Sequence, residues 1–252
     1  LSRRASKRAG PLWLFDLDNT LHDASHAIFP AIRDNMNALL MQALAADGVP
    51  ATLEAANAVR LDYWRRYGAT LLGMVRHHQM RPADFLRDAH RFDDLAALIR
   101  AERGLARLLR RLPGRKILLT NAPLGYSREV LRQLGLQRHF AGHVAIESMR
   151  VHGQLRPKPA PQLLRRLLAR EGVPARRCVL VEDTLENLKS ARALGLRTVW
   201  VTRYLAAQRE RARRAGDDAA SPYGRTRLPR PAYVDLRIQS VRQLSGNLRR
   251  LR

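Results

Sequence analysis

The chain has one cysteine, only four lysines, 6% aromatic residues and no long hydrophobic run. With Cys178 alone, no internal disulfide can form. Its place in the apolar run Cys178-Val179-Leu180-Val181 reads as a buried, inert thiol and excludes it as a nucleophile. No apolar run approaches the roughly 20 residues needed to span a bilayer, and the basic stretch Leu1–Gly10 is not followed by a long apolar segment and cleavage site. A cytoplasmic protein with no membrane partner is therefore expected, and monomer and homodimer both stay open. Acidic residues are also scarce, 22 against 46 basic, for a net charge of +24. Such a field draws phosphates. Its distribution argues against a dedicated nucleic-acid site: residues 203–252 hold 13 Arg against 4 acidic residues, residues 1–10 hold four basic residues, and the remaining excess is scattered. The skew of Arg over Lys follows more simply from arginine-favouring codons than from a binding groove.

What is present is globular. At 252 residues and 46% hydrophobic content, the chain can bury one core, or a core with a smaller domain. Short apolar runs read as buried strands: Leu12 to Phe15, Lys116 to Leu119, His143 to Ile146, Cys178 to Val181, Thr198 to Val201 and, more weakly, Tyr233 to Leu236. Helical patterns lie between them at Ser127 to Leu134, Pro161 to Arg170 and Leu185 to Leu194, the last two closed by Gly172 and Gly195. This alternation predicts an α/β fold, a parallel sheet with helices on both faces. Residues 24–111 break the rhythm with helical patterns at Ala31 to Ala46, Thr52 to Tyr67, Pro82 to Arg87 and Asp94 to Leu109, and no convincing strand. The expected organisation is a core of 1–23 and 112–252, with 205–232 as a basic, largely loop-like insertion, and an inserted all-helical domain at 24–111. A closing helix is expected over Ser240 to Leu251.

Each polar cluster of interest follows a predicted strand, and in an open parallel sheet those carboxyl ends share one crevice. Asp16 and Asp18, spaced i, i+2, permit a nucleophile that also binds metal beside a general acid–base. Thr120-Asn121 offers a hydroxyl and backbone N–H groups to phosphate oxygens. Lys158, between Pro157 and Pro159, suits a fixed cation facing a phosphoryl group. Glu182-Asp183 adds the oxygen ligands that a hard cation such as magnesium requires. Alone, Asp16-Leu17-Asp18-Asn19 could be a turn, Glu182-Asp183-Thr184 a helix cap and Lys158 a surface charge. Four such clusters in order make the shared site the better reading.

The order Asp-x-Asp-x-Thr, Thr-Asn, Lys-Pro and Glu-Asp resembles the haloacid dehalogenase superfamily of phosphohydrolases, over about Pro11 to Tyr204. The resemblance implies a Rossmann-like core with a helical cap between the first and second motifs. It implies that Asp16 attacks phosphorus, and that Asp18 protonates the leaving oxygen and then deprotonates water. Mg2+ would be held by the Asp16 carboxylate, the Asp18 backbone carbonyl and Asp183, with Glu182 acting through water. Thr120 and Lys158 would bind the transferring phosphoryl, Asn121 would assist them, and Asn187 would brace the Asp183 loop.

The stretch Tyr63-Trp64-Arg65-Arg66-Tyr67-Gly68-Ala69-Thr70-Leu71-Leu72-Gly73-Met74, with Leu21-His22 and the His90 region, is similar to the pyrimidine 5'-nucleotidase branch. That similarity implies a nucleoside monophosphate substrate, with His22, Tyr67 and His90 near it. Trp64 and Leu71, at helical spacing, read first as core of the helical domain. For His77 and His78 a polar helix face is expected. The alternatives are a phosphatase of another small metabolite, such as a phosphosugar or pyridoxal phosphate, and a non-enzymatic polyanion-binding protein using the basic termini. The intact Asp16, Asp18, Lys158 and Asp183 speak against the latter as the sole role.

Overall fold

The computed structural model describes residues 10–205 and 229–251. The expected loop-like segment 205–232 and the basic stretch at the start of the chain fall largely outside them. The chain enters β1 (Leu12–Phe15), then runs through helices α1 (Ile28–Ala46), α2 (Leu53–Tyr67), α3 (Thr70–His77), α4 (Pro82–Ala89) and α5 (Leu95–Leu98). It returns through α6 (Leu105–Arg111) to β2 (Lys116–Leu119), α7 (Leu124–Gln133) and β3 (Gly142–Val144). A small hairpin of β4 (Arg150–Val151) and β5 (Gln154–Leu155) precedes α8 (Pro161–Glu171), β6 (Cys178–Glu182), α9 (Leu185–Ala193), β7 (Arg197–Val201) and β8 (Leu236–Ile238).

Six strands form one parallel sheet in the order β3-β2-β1-β6-β7-β8, a Rossmann-like α/β arrangement. Both faces are covered, so β1, β2 and β6 are buried along their whole length and read as unbroken apolar runs apart from their ends. The chain starts at mid-sheet, winds outward to β3, then returns beside β1 to form β6. The strand order therefore reverses between β1 and β6, where open α/β sheets bind ligands. Register brings the two ends level: Leu12 pairs with Cys178 and Phe15 with Val181, so Asp16 follows beside Glu182. No helix among the described residues is long and apolar enough to cross a membrane.

Several predicted elements shift. The single helix expected over Asp94 to Leu109 is two, α5 and α6, because Gly104 takes a left-handed conformation (φ 87°) just before α6. The last strand begins at Leu236, where Tyr233 to Leu236 was expected. The Asp235 carboxylate accepts from Thr198 N at 2.9 Å and the Tyr233 carbonyl from Thr198 Oγ1 at 2.7 Å, so these residues brace β7 before the pairing of Leu236 with Val199 begins. Ser240 to Leu251 forms a 3-10 turn with a Ser240–Gln243 capping box, one helical turn and a second 3-10 turn, in place of one helix. The hairpin β4–β5 had no counterpart in the sequence reading. Its two-residue turn, His152-Gly153, has positive φ at both positions, as tight hairpins require.

The chain divides into two compact units: one takes the chain up to Ser25 and again from Ile99, and the other is His26–Leu98. The helical unit is shorter than the 24–111 expected, since α6, with Leu105, Leu108 and Leu109 buried, belongs to the sheet unit. Within the sheet unit, the departing and returning segments lie side by side, Asp23 N donating to Arg100 O at 2.7 Å. Within the helical unit, Thr52 caps α2 through its hydroxyl, and Gly68 ends that helix in a left-handed conformation. Helices α2 and α3 meet where Gly73 lies against Tyr63: a Cβ there would fall 2.1 Å from Tyr63 Cγ. Gly73→Ala is accordingly expected to cost the helical unit about 2 kcal/mol or more from overpacking, measured by urea unfolding, with partial recovery on adding Tyr63→Leu. A Gly73→Ala protein as stable as the parent would show that this contact relaxes freely.

Candidate active site

Asp16 leaves β1 with its N–H still in the ladder, donating to Val181 O at 3.0 Å. The chain then turns tightly: Leu21 N donates to Leu17 O at 2.8 Å, and Asn19 takes a left-handed conformation (φ 57°), one that asparagine tolerates. The Asn19 side chain ties the loop to Ser25, accepting from its N–H at 3.1 Å and donating to its hydroxyl at 2.7 Å. Thr20 Oγ1 donates to Asp16 Oδ2 at 3.3 Å.

Lys158 joins the strand ends. Its Nζ donates to Asp16 Oδ1 and to Glu182 Oε2, both at 2.7 Å, and all three side chains are less than one-tenth exposed. Glu182 is saturated further: Oε2 accepts from Asn187 Nδ2 at 3.0 Å, and Oε1 from the N–H groups of Asp183 (3.2 Å) and Thr184 (3.3 Å). Thr184 precedes α9 without a side-chain cap; its hydroxyl donates to Asp183 Oδ1 at 3.3 Å. Trp200 holds the same loop, Nε1 donating to the Asp183 carbonyl at 2.9 Å.

Asp16, Glu182 and Asp183 bring carboxylate oxygens within 4.8 Å of one another, a group that could hold a metal ion. Burial and then the Glu182 charge push the Asp16 carboxyl up to about 8, against the pull of Lys158. Burial, Glu182 and Asp16 raise the Asp183 carboxyl well above its ordinary value. Glu182 also meets a burial penalty, but Lys158 and the neighbouring donors hold it below the usual range. Burial works against the Lys158 ammonium too, and Asp16 and Glu182 more than offset it, leaving its pKa raised. Three buried carboxylates thus face one lysine. The donor set is all oxygen, and ionising all three carboxyls would take more positive charge than Lys158 supplies, which fits a hard divalent cation.

The Asn121 side-chain amide clamps the Lys158 backbone, accepting from Lys158 N and donating to Lys158 O, both at 2.9 Å. Thr120 is buried, and its Oγ1 accepts from Ala122 N at 3.1 Å, which leaves the hydroxyl proton to donate. Asp18 contributes a carboxylate whose Oδ1 accepts from Tyr126 O–H at 2.6 Å and meets His22 Nε2 at 2.8 Å. His22 is fully buried, so the expected contact with substrate is replaced by one with Asp18. Tyr126 went unnoticed in the sequence; it lies on the first turn of α7, six residues after Thr120, 108 positions from its partner. Burial, then the Asp18 charge, raise its phenol well above the usual value and keep it a donor.

The remaining candidates belong to the helical unit. Tyr67 O–H pairs with His77 Nε2 at 2.7 Å, and Tyr63 O–H with His78 Nε2 at 2.8 Å, while His78 Nδ1 meets Asp47 at 2.9 Å. His77 is exposed on its helix, and both histidines bond to tyrosines. His90 closes α4, its Nδ1 meeting the Leu86 carbonyl at 3.0 Å. Leu71 is buried, as a core residue should be, but Trp64 is 53% exposed and is not core.

A lysine-tied carboxylate cluster at the reversal point of an open parallel sheet defines a Rossmann-like α/β enzyme. The family model described as haloacid dehalogenase-like hydrolase matches residues 12–195, and the chain belongs to that family. Among solved structures it is similar to a HAD phosphatase from Thermococcus onnurineus at 16% identity, covering 94% of this chain and 97% of that one, TM-score 0.60. It is similar to CbbY from Rhodobacter sphaeroides in complex with phosphate at 24% identity, covering 93% and 96%, TM-score 0.59. A third is the L-2-haloacid dehalogenase from Xanthobacter autotrophicus, at 16% identity, covering 95% and 98%, TM-score 0.54. At these identities the likeness is one of fold.

Proposed function

We propose that this hydrolase is a magnesium-dependent phosphomonoesterase that works through an aspartyl-phosphate on Asp16. The observation that carries the reading is Lys158 Nζ held between Asp16 and Glu182 in a cluster of three buried carboxylates. A carboxylate substitution at carbon needs no such surplus of cation sites, whereas a dianionic phosphate approaching an anionic nucleophile does. Magnesium, bound by Asp16, Asp183 and the Asp18 carbonyl, would supply charge neutralisation at the phosphoryl oxygens. The chain's own groups do the rest. Asp16 attacks phosphorus, and the ester P–O bond breaks as Asp18 gives its proton to the leaving oxygen. Water then attacks the aspartyl-phosphate, loses a proton to Asp18, and the electron pair of the broken bond returns to Asp16. Lys158 and the Thr120 hydroxyl steady the phosphoryl, and Asn121 keeps the Lys158 backbone in place.

For the substrate we propose a pyrimidine nucleoside 5'-monophosphate of the UMP or CMP type. Support comes from the Tyr63 to Met74 stretch and from Trp64, whose exposed indole suits stacking on a flat base. Phosphate release by the purified chain, across nucleoside monophosphates, sugar phosphates and pyridoxal phosphate, tests both levels. Turnover should need magnesium, vanish in EDTA and favour UMP and CMP. Equal turnover of every ester would remove the nucleotide reading; no turnover of any, with magnesium present, would remove the phosphatase reading.

A further inference from the structure

We propose that Tyr126 and His22 form a two-donor cradle that fixes the Asp18 carboxylate, so that Asp18 gives and takes its proton through Oδ2. The inference rests on the acid–base role given to Asp18 above. Both contacts fall on one oxygen: Tyr126 O–H at 2.6 Å and His22 Nε2 at 2.8 Å meet Asp18 Oδ1, and the two donors lie 3.5 Å apart. An ionised carboxylate only accepts, so His22 Nε2 carries the hydrogen. The other ring nitrogen, Nδ1, is buried with no hydrogen-bond partner. An unprotonated nitrogen there strands one acceptor, whereas an N–H would strand a donor, so the ring's surroundings agree with a hydrogen on Nε2.

The cradle is built from the turn after β1 and the first turn of α7. His22 comes back under Asp18 through the tight turn after β1, the pair also forming an isolated β-bridge. Tyr126 arrives from the neighbouring strand's connection, through the start of α7. Tyr126 O–H and His22 Nε2 both meet Asp18 Oδ1, so they act through Asp18 and are positioning residues. A proton on Oδ1 would turn an acceptor into a donor facing two donors and break at least one bond. On Oδ2 it breaks neither. In the first step that proton passes to the ester oxygen, which keeps the electron pair of the broken P–O bond. In the second, Oδ2 regains a proton from the attacking water.

Leaving-group dependence separates positioning from mere scaffolding. Tyr126→Phe keeps the ring and loses the O–H. With magnesium, the single-turnover rate of ester cleavage should fall about 10-fold or more for an alkyl phosphate, whose leaving oxygen needs the proton, and far less for p-nitrophenyl phosphate, whose leaving group does not, with KM unchanged for both. His22→Ala should reproduce this split, and His22→Gln, which restores a side-chain N–H, should recover part of it. Equal losses on both esters, a raised KM with unchanged kcat, or no loss would overturn the cradle. Asp18→Asn is the reference. If it shows the leaving-group split and Tyr126→Phe does not, the cradle alone fails. If Asp18→Asn shows no split, the acid–base role of Asp18 fails and the cradle with it.

Discussion

Asp16→Asn should abolish turnover while the protein stays folded and melts at or above the parent's temperature in EDTA at pH 7. An amide oxygen cannot displace an alkoxide from phosphorus, so the loss should be on the order of 10⁴-fold or more, as for removal of other covalent nucleophiles. The stability side follows from the cluster's charge. Burial and Glu182 raise the Asp16 carboxyl from 3.8 to about 8. A carboxyl raised on folding costs stability once the pH exceeds its unfolded value, and the cost grows until the pH reaches its folded one. Asparagine removes that cost and can still accept from Lys158 Nζ. Phosphate release and a thermal melt on the same preparation check both halves. Retained turnover would sink the mechanism, and an unfolded variant would sink the account of the cluster's charge.

Lys158→Met should be the most damaging change that leaves every carboxylate in place. The ammonium is the cation that Asp16 and Glu182 share at 2.7 Å in a buried setting. Breaking a buried ion pair by removing one partner costs about 3–5 kcal/mol, because the other partner keeps its desolvation penalty. Here two carboxylates are orphaned at once. In EDTA the variant should therefore unfold at markedly lower urea than the parent, and magnesium should restore more stability to it than to the parent. Activity should fall roughly 10²–10³-fold even with magnesium, since a preorganised charge on the transferring group is lost. Urea curves with and without magnesium, paired with kcat, decide it. Parent-like kcat, or stability that ignores magnesium, would show that Lys158 is not the cluster's counter-charge.

The sheet and the strand-end acids were readable in the sequence because both depend on short-range pattern. Apolar runs of four or five residues ending in Asp16, Thr120 or Glu182-Asp183 carry strand and site together. Lys158 was readable through its place between two prolines. What sequence spacing could not carry were contacts made by folding distant loops together. The tie between the Asn121 side chain and the Lys158 backbone, 37 positions away, is one of them. His22 is expected near substrate because Leu21-His22 resembles the pyrimidine 5'-nucleotidase branch; its i, i+4 relation to Asp18 across a turn was the available signal for the contact it makes. Tyr126 offered none, since a lone tyrosine on a helix usually serves packing. Element ends moved where a single backbone requirement decided them, as Gly104 did between α5 and α6.

The hydrogen bond from Asp23 N to Arg100 O has a modular meaning. A segment of more than seventy residues leaves the sheet unit and comes back at almost the same spot, so its two ends are already stitched together. Splicing of that kind lets the helical cassette be exchanged, enlarged or replaced by a short bridge without moving Asp16, Lys158 or Asp183. A change of length between Asp23 and Arg100 thus leaves the strand ends that carry the carboxylates where they are.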